Sequence, residues 1–460
     1  MNTATNDSDN KKSKKVAFIS LGCDKNLVDS EVMLGIIDQA GYTIISDERD
    51  AEIIIVNTCG FILDATNEGI ENVITAGEYK KNGKCKTLIV TGCMAQRYRD
   101  EIFDELPEVD AVVGTGDFES IARVIEEAGK GNKVKAVTDI NNLINENNSL
   151  NRVLSTPPYF AYLKIAEGCD NFCTYCTIPS LRGKYRSRHM ESLVKEAQIL
   201  CEKGVRELIL VAQDTALYGR DLYGEPKLHE LMNKLSEIED LEWIRLLYCY
   251  PENITEGMIK EMAVNPKVCH YIDMPVQHGD DYVLKKMGRK GMRKDIKNIV
   301  GKLRKAMPDI AIRTTLIVGF PGETQENFDN LTDFVEEIAF DRLGIFIYSK
   351  EDGTPAAILP DQIDEEIKAS RKDYITEVQK NISAKKCKAQ KGKVFKVLVE
   401  GKLSEEDVYC GRTYMDCYEI DGMVFFESDE DIIAGEFRNV LITDSSDYDL
   451  IGVVQVEPAK

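Results

Sequence analysis

The sequence predicts an α/β protein in three parts: an N-terminal parallel α/β domain, a partial or full β/α barrel, and a small C-terminal all-β barrel. Three observations carry that expectation. Apolar strands alternate with helices over residues 15–129 at a repeat of about 35 residues, the length of one βαβ step. A second alternation of six strand–helix units fills about 200 residues after a break. The last stretch, 387–460, turns to short strands joined by turn residues, the pattern of a small barrel that closes its own edges.

Each element follows in order. Residues 1–14 are polar and lysine-rich and read as a disordered tail. Strands are expected at Val16–Leu21, Ile53–Val56, Thr87–Val90 and Asp110–Val113, with helices at Leu27–Ala40 and Ile62–Tyr79. Residues 130–154, rich in asparagine, read as a linker. The barrel, 155–386, has strand candidates at Tyr162–Ile165, Glu207–Ala212, Trp243–Leu247, Tyr271–Met274, Ala311–Val318 and Leu343–Tyr348. Helices at Ser192–Lys203, Met292–Ala306 and Glu326–Ile338 lie between them. Short strands at Val394–Val399, Val408–Arg412, Met423–Glu427, Phe437–Ile442 and Ile451–Val456 make the C-terminal module.

Composition narrows the function. In 460 residues, 79 Asp and Glu face 58 Lys and Arg, a net charge of −21. Such a chain suits a small molecule, a protein or a basic partner, not a phosphate backbone. Its longest apolar runs, such as Leu208–Ala212, are about five residues, against about 20 for a spanning helix, so no membrane span is expected. The start has no apolar core, so no export signal is expected either. Thirteen cysteines then imply reduced cytoplasmic thiols, some of them metal ligands. The four histidines, His189, His229, His270 and His278, have no helical metal-ligand spacing, so sulfur is the expected metal donor.

Two cysteine groups carry the chemistry. Cys169, Cys173 and Cys176 have C-x3-C-x2-C spacing in a loop after a strand, where barrel active sites form. Three thiolates in one loop can hold a four-iron cluster and leave one iron open. A zinc site completed by His189, or three buried thiols, is the plainer alternative. Cys23, Cys59 and Cys93 each follow a strand of the first domain, at spacings of 36 and 34 residues. Strand C-terminal ends of a parallel sheet line one crevice, so these thiols are expected to converge as a second cluster site. A small buried cysteine ending a core strand is ordinary, but three in succession at one structural position are not.

The Cys169–Cys176 loop, with Tyr175 before its third cysteine, resembles that of the radical S-adenosylmethionine superfamily. The resemblance implies an open iron chelated by the cofactor's amino and carboxylate groups. An electron then releases methionine and a 5′-deoxyadenosyl radical, chemistry that no side-chain base offers at an unactivated C–H bond. Val211 to Thr215, with Gln213 and Asp214, matches the strand end that contacts the cofactor's amino group. Leu316 to Thr324, with Gly319 and Glu323, is similar to the later motif that accommodates the adenosine.

With the N-terminal triad included, nearly the whole chain resembles the methylthiotransferase family. Gly22 to Asn26, Asn57 to Ile62 and Gln213 to Gly224 look like its ribosomal-protein branch rather than its tRNA branch. The C-terminal module looks like a TRAM domain. The family implies two [4Fe-4S] clusters, S-adenosyl-L-methionine and an electron donor. The implied reaction is methylthio transfer to an aspartate β-carbon of small-subunit ribosomal protein twelve, free or in the small ribosomal subunit, with no direct tRNA substrate. It further implies that one cofactor molecule methylates a sulfur held at Cys23, Cys59 and Cys93, and that a second generates the radical. From Lys385 onward, 16 acidic residues face 10 basic ones, which suits a basic protein partner.

Two rival readings stand beside this one. A tRNA adenosine methylthiotransferase would use the same chemistry on a nucleobase. A two-cluster electron carrier or sensor would not need a cofactor pocket at Gly319. Arg182, Arg186 and Arg188 are candidates for holding a carboxylate, with a solvated basic segment as the alternative. His278 is expected to be structural. Cys85, Cys201, Cys249, Cys269, Cys387, Cys410 and Cys417 are isolated and read as packing or surface residues.

Overall fold

The computed structural model of the chain describes residues 14–141, 146–403 and 407–455. The expected tail, apart from Lys14, lies outside them, as do 142–145 of the expected linker.

The N-terminal unit is a six-stranded parallel sheet. Its strands are β1 (Lys15–Ser20), β2 (Thr43–Ile45), β3 (Ile53–Thr58), β4 (Thr87–Gly92), β5 (Ala111–Val113) and β6 (Val134–Ala136), ordered β2-β1-β3-β4-β5-β6. Every residue of β3 and β4 is buried. Val32, Ile37, Ile55 and Ile125 pack on one face, and Ile54, Val56, Val73 and Val90 on the other. Covering both faces explains why these strands read as unbroken apolar runs. β6 corrects the expected linker: the segment from 130 still contributes an edge strand. With three residues and a lysine at its centre, β6 offers no apolar signal.

The second sheet is also parallel and six-stranded. It comprises β7 (Phe160–Lys164), β10 (Glu207–Val211), β11 (Trp243–Leu246), β12 (Val268–Asp273), β13 (Ala311–Val318) and β14 (Arg342–Ile347), in consecutive order. A two-stranded pair, β8 (Ala166–Glu167) and β9 (Arg186–Ser187), sits above β7. Among the described residues β7 and β14 do not pair with each other, so the partial-barrel expectation holds and the full barrel does not. A 24-residue helix, Glu365–Lys388, packs along β14. Its buried positions include Lys368, Arg371, Gln379 and Ser383, so it lacks the apolar stripe that would have announced it.

The C-terminal module is a closed five-stranded barrel of β15 (Val394–Lys402), β16 (Val408–Arg412), β17 (Val424–Glu427), β18 (Phe437–Ser445) and β19 (Leu450–Val454). Val397, Val399, Phe426, Val440 and Ile442 fill it. It seats against the N-terminal ends of the large barrel's strands. Glu207, which opens β10, accepts from Arg412 Nη2 at 2.7 Å and from Arg245 Nε at 2.6 Å, and all three side chains are buried. The Phe160 and Tyr418 rings meet beside them at 4.4 Å.

The N-terminal sheet joins the opposite end. Lys164, closing β7, pairs with Asp29 and with Glu167 at 2.7 Å. Arg182 reaches Asp29 at 2.6 Å and Glu167 at 3.1 Å. Arg97 meets Glu351 at 2.8 Å, beyond the end of β14. The strand C-terminal ends of the two sheets therefore face each other.

Removing the Glu207 charge leaves Arg245 and Arg412 buried without their shared anion. Glu207→Gln should cost about 3–5 kcal/mol in urea unfolding. A loss under 1 kcal/mol would show that the module is held by apolar contact alone.

Candidate functional site

The N-terminal triad follows three neighbouring strands, β1, β3 and β4. Cys23 is the N-cap of the helix Asp24–Gln39, and Cys93 begins the short helix Cys93–Tyr98. Gly92 makes the second turn possible. Its φ is +93°, and a Cβ there would lie 2.5 Å from Thr58 O and run into Asn57 Oδ1. The three loops touch: a Cβ on Gly22 would stand 2.9 Å from Cys59 Cβ, and one on Gly60 would stand 2.8 Å from Met94 N. Cys23 is exposed, Cys59 half-buried and Cys93 buried.

Burial pushes the Cys59 thiol up, and the neighbouring Cys23 adds to it. Burial takes Cys93 up to about 12, with Cys23 and Cys59 opposing its ionisation further and Arg182 favouring it. Three thiols that sense each other beside one buried guanidinium have the chemistry a cationic cluster would need, and such a cluster would draw off their protons on binding.

The barrel triad sits in the loop after β8. Gly168, at φ +83°, brings the chain against Lys184 O, which a Cβ would strike. Cys169 N–H donates to Gly183 O at 3.0 Å, and Thr174 N–H to Met287 O at 2.9 Å. These bonds fix the loop from both sides. Burial raises Cys169 to about 11 and raises Cys176 further, while backbone N–H groups of Asn171 and Ile178 aim at their sulfurs and oppose the shift. Cys173 Sγ lies 3.8 Å from Tyr250 Oη. The zinc alternative loses its fourth ligand: His189 is turned outward, with Nδ1 3.0 Å from Glu146.

β10 delivers the next two expected residues. Gln213 Nε2 donates to Glu167 Oε1 at 2.7 Å, and its Oε1 is buried without a partner. Asp214 Oδ2 accepts from Asn253 at 2.6 Å and from Asn171, inside the cysteine loop, at 3.2 Å. Its Oδ1 is also buried and unpartnered. Burial takes the Asp214 carboxyl up to about 7. Two orphaned acceptors at one strand end fit a cationic amino group.

The remaining expected residues are more structural. Tyr175 packs beside Phe320 and Tyr348. Gly319 lies under the Lys368 stem. Glu323 is filled by protein groups: the Gly319 N–H at 2.8 Å, the Phe320 N–H at 3.2 Å and Arg371 at 2.8 Å. Its carboxylate shapes the turn after β13. His278 is fully buried, accepting from Asp280 N–H at 3.0 Å. Arg186 and Arg188 bind protein carbonyls, and Arg188 also pairs with Glu196 at 2.7 Å. Arg182 holds Asp29, Glu167 and Asn26 together, so none of the three arginines stands free for a ligand carboxylate.

Sequence reasoning missed Tyr248, Tyr250, Asn171, Asn253 and Arg289. Arg289 stacks over the Tyr250 ring at 4.2 Å, and its buried Nη1 has no partner. For all but Arg289, which follows the helix Asp281–Lys286, the one sequence signal is position after a strand or inside the cysteine loop.

Comparison with known proteins places this arrangement. The "Uncharacterized protein family UPF0004" matches residues 15–114, the "Radical SAM superfamily" matches 163–335, and the "TRAM domain" matches 392–454. The chain is 49% identical over 441 residues to "Ribosomal protein uS12 methylthiotransferase RimO" of Lachnoclostridium phytofermentans, covering 96% of this chain and 100% of that protein. It is 52% identical over 452 residues to the protein of the same name from Acetivibrio thermocellus, covering 97% and 100%. In fold it is similar to the radical S-adenosylmethionine methyltransferase TsrM from Kitasatospora setae, solved with cobalamin and a [4Fe-4S] cluster. The TM-score is 0.56 at 13% identity, over 75% of this chain and 74% of that one.

Asp214 should make the metal-free protein sensitive to pH. Its carboxyl keeps a proton to about pH 7 when folded, against 3.8 when unfolded. Its contribution is therefore fully present below about pH 4 and is lost as pH rises through about 7. Asp214→Asn should flatten that fall, gaining on the order of 4 kcal/mol over the parent between those limits. Parallel urea-midpoint curves for the two proteins from pH 4 to 8 would contradict it.

Proposed function

The chain belongs to the ribosomal protein uS12 methylthiotransferase (RimO) family, and from that premise we propose that its two cysteine triads are two [4Fe-4S] sites with separate tasks. The substrate is an aspartate β-carbon of that ribosomal protein, and the product carries a methylthio group there. One observation supports the division most: the triads stand at the facing strand ends of two sheets, joined by a buried run of side chains. Asn26 lies 3.7 Å from Cys93 Sγ and accepts from Arg182; Arg182 donates to Glu167, and Glu167 accepts from Gln213 at the end of β10.

When bound, the barrel cluster and S-adenosyl-L-methionine supply one-electron chemistry able to remove hydrogen from an unactivated carbon, and the N-terminal cluster supplies a sulfur site. Cys169, Cys173 and Cys176 would hold the first, and Cys23, Cys59 and Cys93 the second. Gln213 Oε1 and Asp214 Oδ1 are free to receive the cofactor's ammonium, which needs Asp214 ionised. Tyr175 and Gly319 shape the neighbouring wall, and Glu323 acts on the cofactor only through that turn. Arg182 balances the thiolates of the N-terminal site from within the protein. The burial of Asp29, Lys164, Glu167 and Arg182 keeps water from the seam between the sites.

The charge of −21 favours a basic protein partner, and the acidic C-terminal module adds to that field from the far end of the barrel. An electron donor and a cytoplasmic setting complete the reading. The thirteen cysteines form no disulfide, and among the described residues no helix is long and apolar enough to cross a membrane. The name the relatives carry favours the ribosomal-protein reading over the tRNA and electron-carrier ones.

Anaerobic reconstitution should give about eight irons per chain, falling to about four when either triad is changed to alanine. Cys173→Ala should abolish deoxyadenosine formation. Cys59→Ala should still release deoxyadenosine but make no methylthio product from a uS12 peptide, read by mass spectrometry. A methylthiolated peptide from Cys59→Ala would overturn the division of tasks.

A further inference from the structure

Tyr248 follows β11 at φ +58°, a left-handed conformation that costs a bulky residue about 1–2 kcal/mol. Its surroundings hold it there on every side. Its N–H donates to Asp273 Oδ2 at 3.0 Å, and its carbonyl accepts from Thr215 N–H, beside Asp214, at 2.9 Å. Its hydroxyl donates to Asp24 Oδ1 at 3.2 Å, and Lys25 Nζ sits 3.1 Å over its ring. Asp24 and Lys25 are themselves paired at 3.0 Å, and their side chains are 7% and 8% exposed. They directly follow Cys23, the exposed thiol of the N-terminal triad. One strained residue thus touches the cofactor strand end with its backbone and the Cys23 loop with its side chain.

The contacts continue downward through the barrel. Asp273 Oδ1 accepts from Arg313 Nη1 at 2.8 Å. Arg313 Nε lies 3.5 Å from Asp421 Oδ1 of the C-terminal module. Asp421 Oδ2 accepts from the Tyr271 hydroxyl at 2.7 Å and from the Cys417 N–H at 2.9 Å. Asp421 is 1% exposed and Asp273 is 3% exposed, so water does not compete for these bonds. The chain Asp24–Tyr248–Asp273–Arg313–Asp421 therefore spans the barrel from the N-terminal sheet to the module.

We propose that Tyr248 is the positioning residue for the Cys23 loop, and that the polar chain beneath it makes the docked C-terminal module part of that loop's support. The proposal rests on the reading of Cys23, Cys59 and Cys93 as a cluster site. Tyr248 does not touch the reacting atoms; it sets where the first thiolate stands through Asp24 and Lys25.

The test uses the full chain with Cys169, Cys173 and Cys176 changed to Ala, so that the N-terminal cluster alone is seen. Tyr248→Phe keeps the ring under Lys25 and removes the hydroxyl. It should alter the electron paramagnetic resonance spectrum of the reduced cluster. In the metal-free chain it should speed amide exchange over 21–27 by roughly tenfold. Asp421→Asn should move both readouts in the same direction. Tyr414→Phe, which removes a module–barrel hydrogen bond outside the chain, should move neither. An unchanged spectrum and unchanged exchange in Tyr248→Phe would overturn the proposal. Should Asp421→Asn act only where faster exchange over 394–402 shows the module released, the module's part falls. A background protein that binds no iron would remove the cluster reading itself, and the exchange arm, which needs no iron, would still decide whether Tyr248 holds the loop.

Discussion

Lys164 and Arg182 carry full charges into the seam between two sheets, where they are sustained by Asp29 and Glu167 within hydrogen-bond distance. That set ties both cysteine triads to one seam. Asp29 lies on the helix that Cys23 caps, so the set anchors the N-terminal triad. Glu167 comes two residues before Cys169 and binds Gln213, so the same set anchors the barrel triad and the residues after β10. Buried charges of this kind add little net stability against apolar packing, but they tolerate few alternative geometries. Two sheets with purely apolar seams could slide, whereas these cannot shift without stranding a charge.

The barrel is consequently occupied at both mouths. Strand C-terminal ends meet the N-terminal sheet, and strand N-terminal ends meet the small closed barrel through Glu207, Arg245 and Arg412. The lumen between them is filled by aromatic and charged side chains, among them Tyr271, Arg313 and Tyr248. The acidic module thus stands at the end away from the cysteines. Its charge can act on a basic partner at a distance of the order of a Debye length or more only weakly, and the facing strand ends, not the module, surround the two cysteine triads.

Much of this was legible in the sequence because it depends on local pattern. Ala311–Val318 and Val408–Arg412 fall where their apolar and β-branched residues put them. The spacing of Cys23, Cys59 and Cys93 anticipated their places after three neighbouring strands because a parallel sheet aligns its strand ends. What escaped notice depends on partners far apart in the chain. The three-residue strands β2 and β6 are defined by their neighbours. The helix Glu365–Lys388 buries polar residues, so its pattern is silent. Arg182 and Glu323 looked like ligand-binding groups because charge is visible in a sequence, while the protein atoms that satisfy it are not. Tyr248 gave no sign, since a left-handed tyrosine is written like any other.

The seam also constrains how such a sequence can change over generations. Its charges are divided between the two units, Asp29 on one side and Lys164, Glu167 and Arg182 on the other. Losing any one leaves an uncompensated charge among the rest, at a cost of several kcal/mol, whereas replacing the set together with apolar residues of similar volume can be nearly neutral. Single mutational steps away from the present arrangement are therefore closed even where a distant solution exists. An N-terminal unit recruited from another lineage would have to arrive with the matching charge at the position of Asp29, or the recipient barrel would reject it. The two cysteine triads are bound to a common evolutionary history by a buried contact that contains no cysteine.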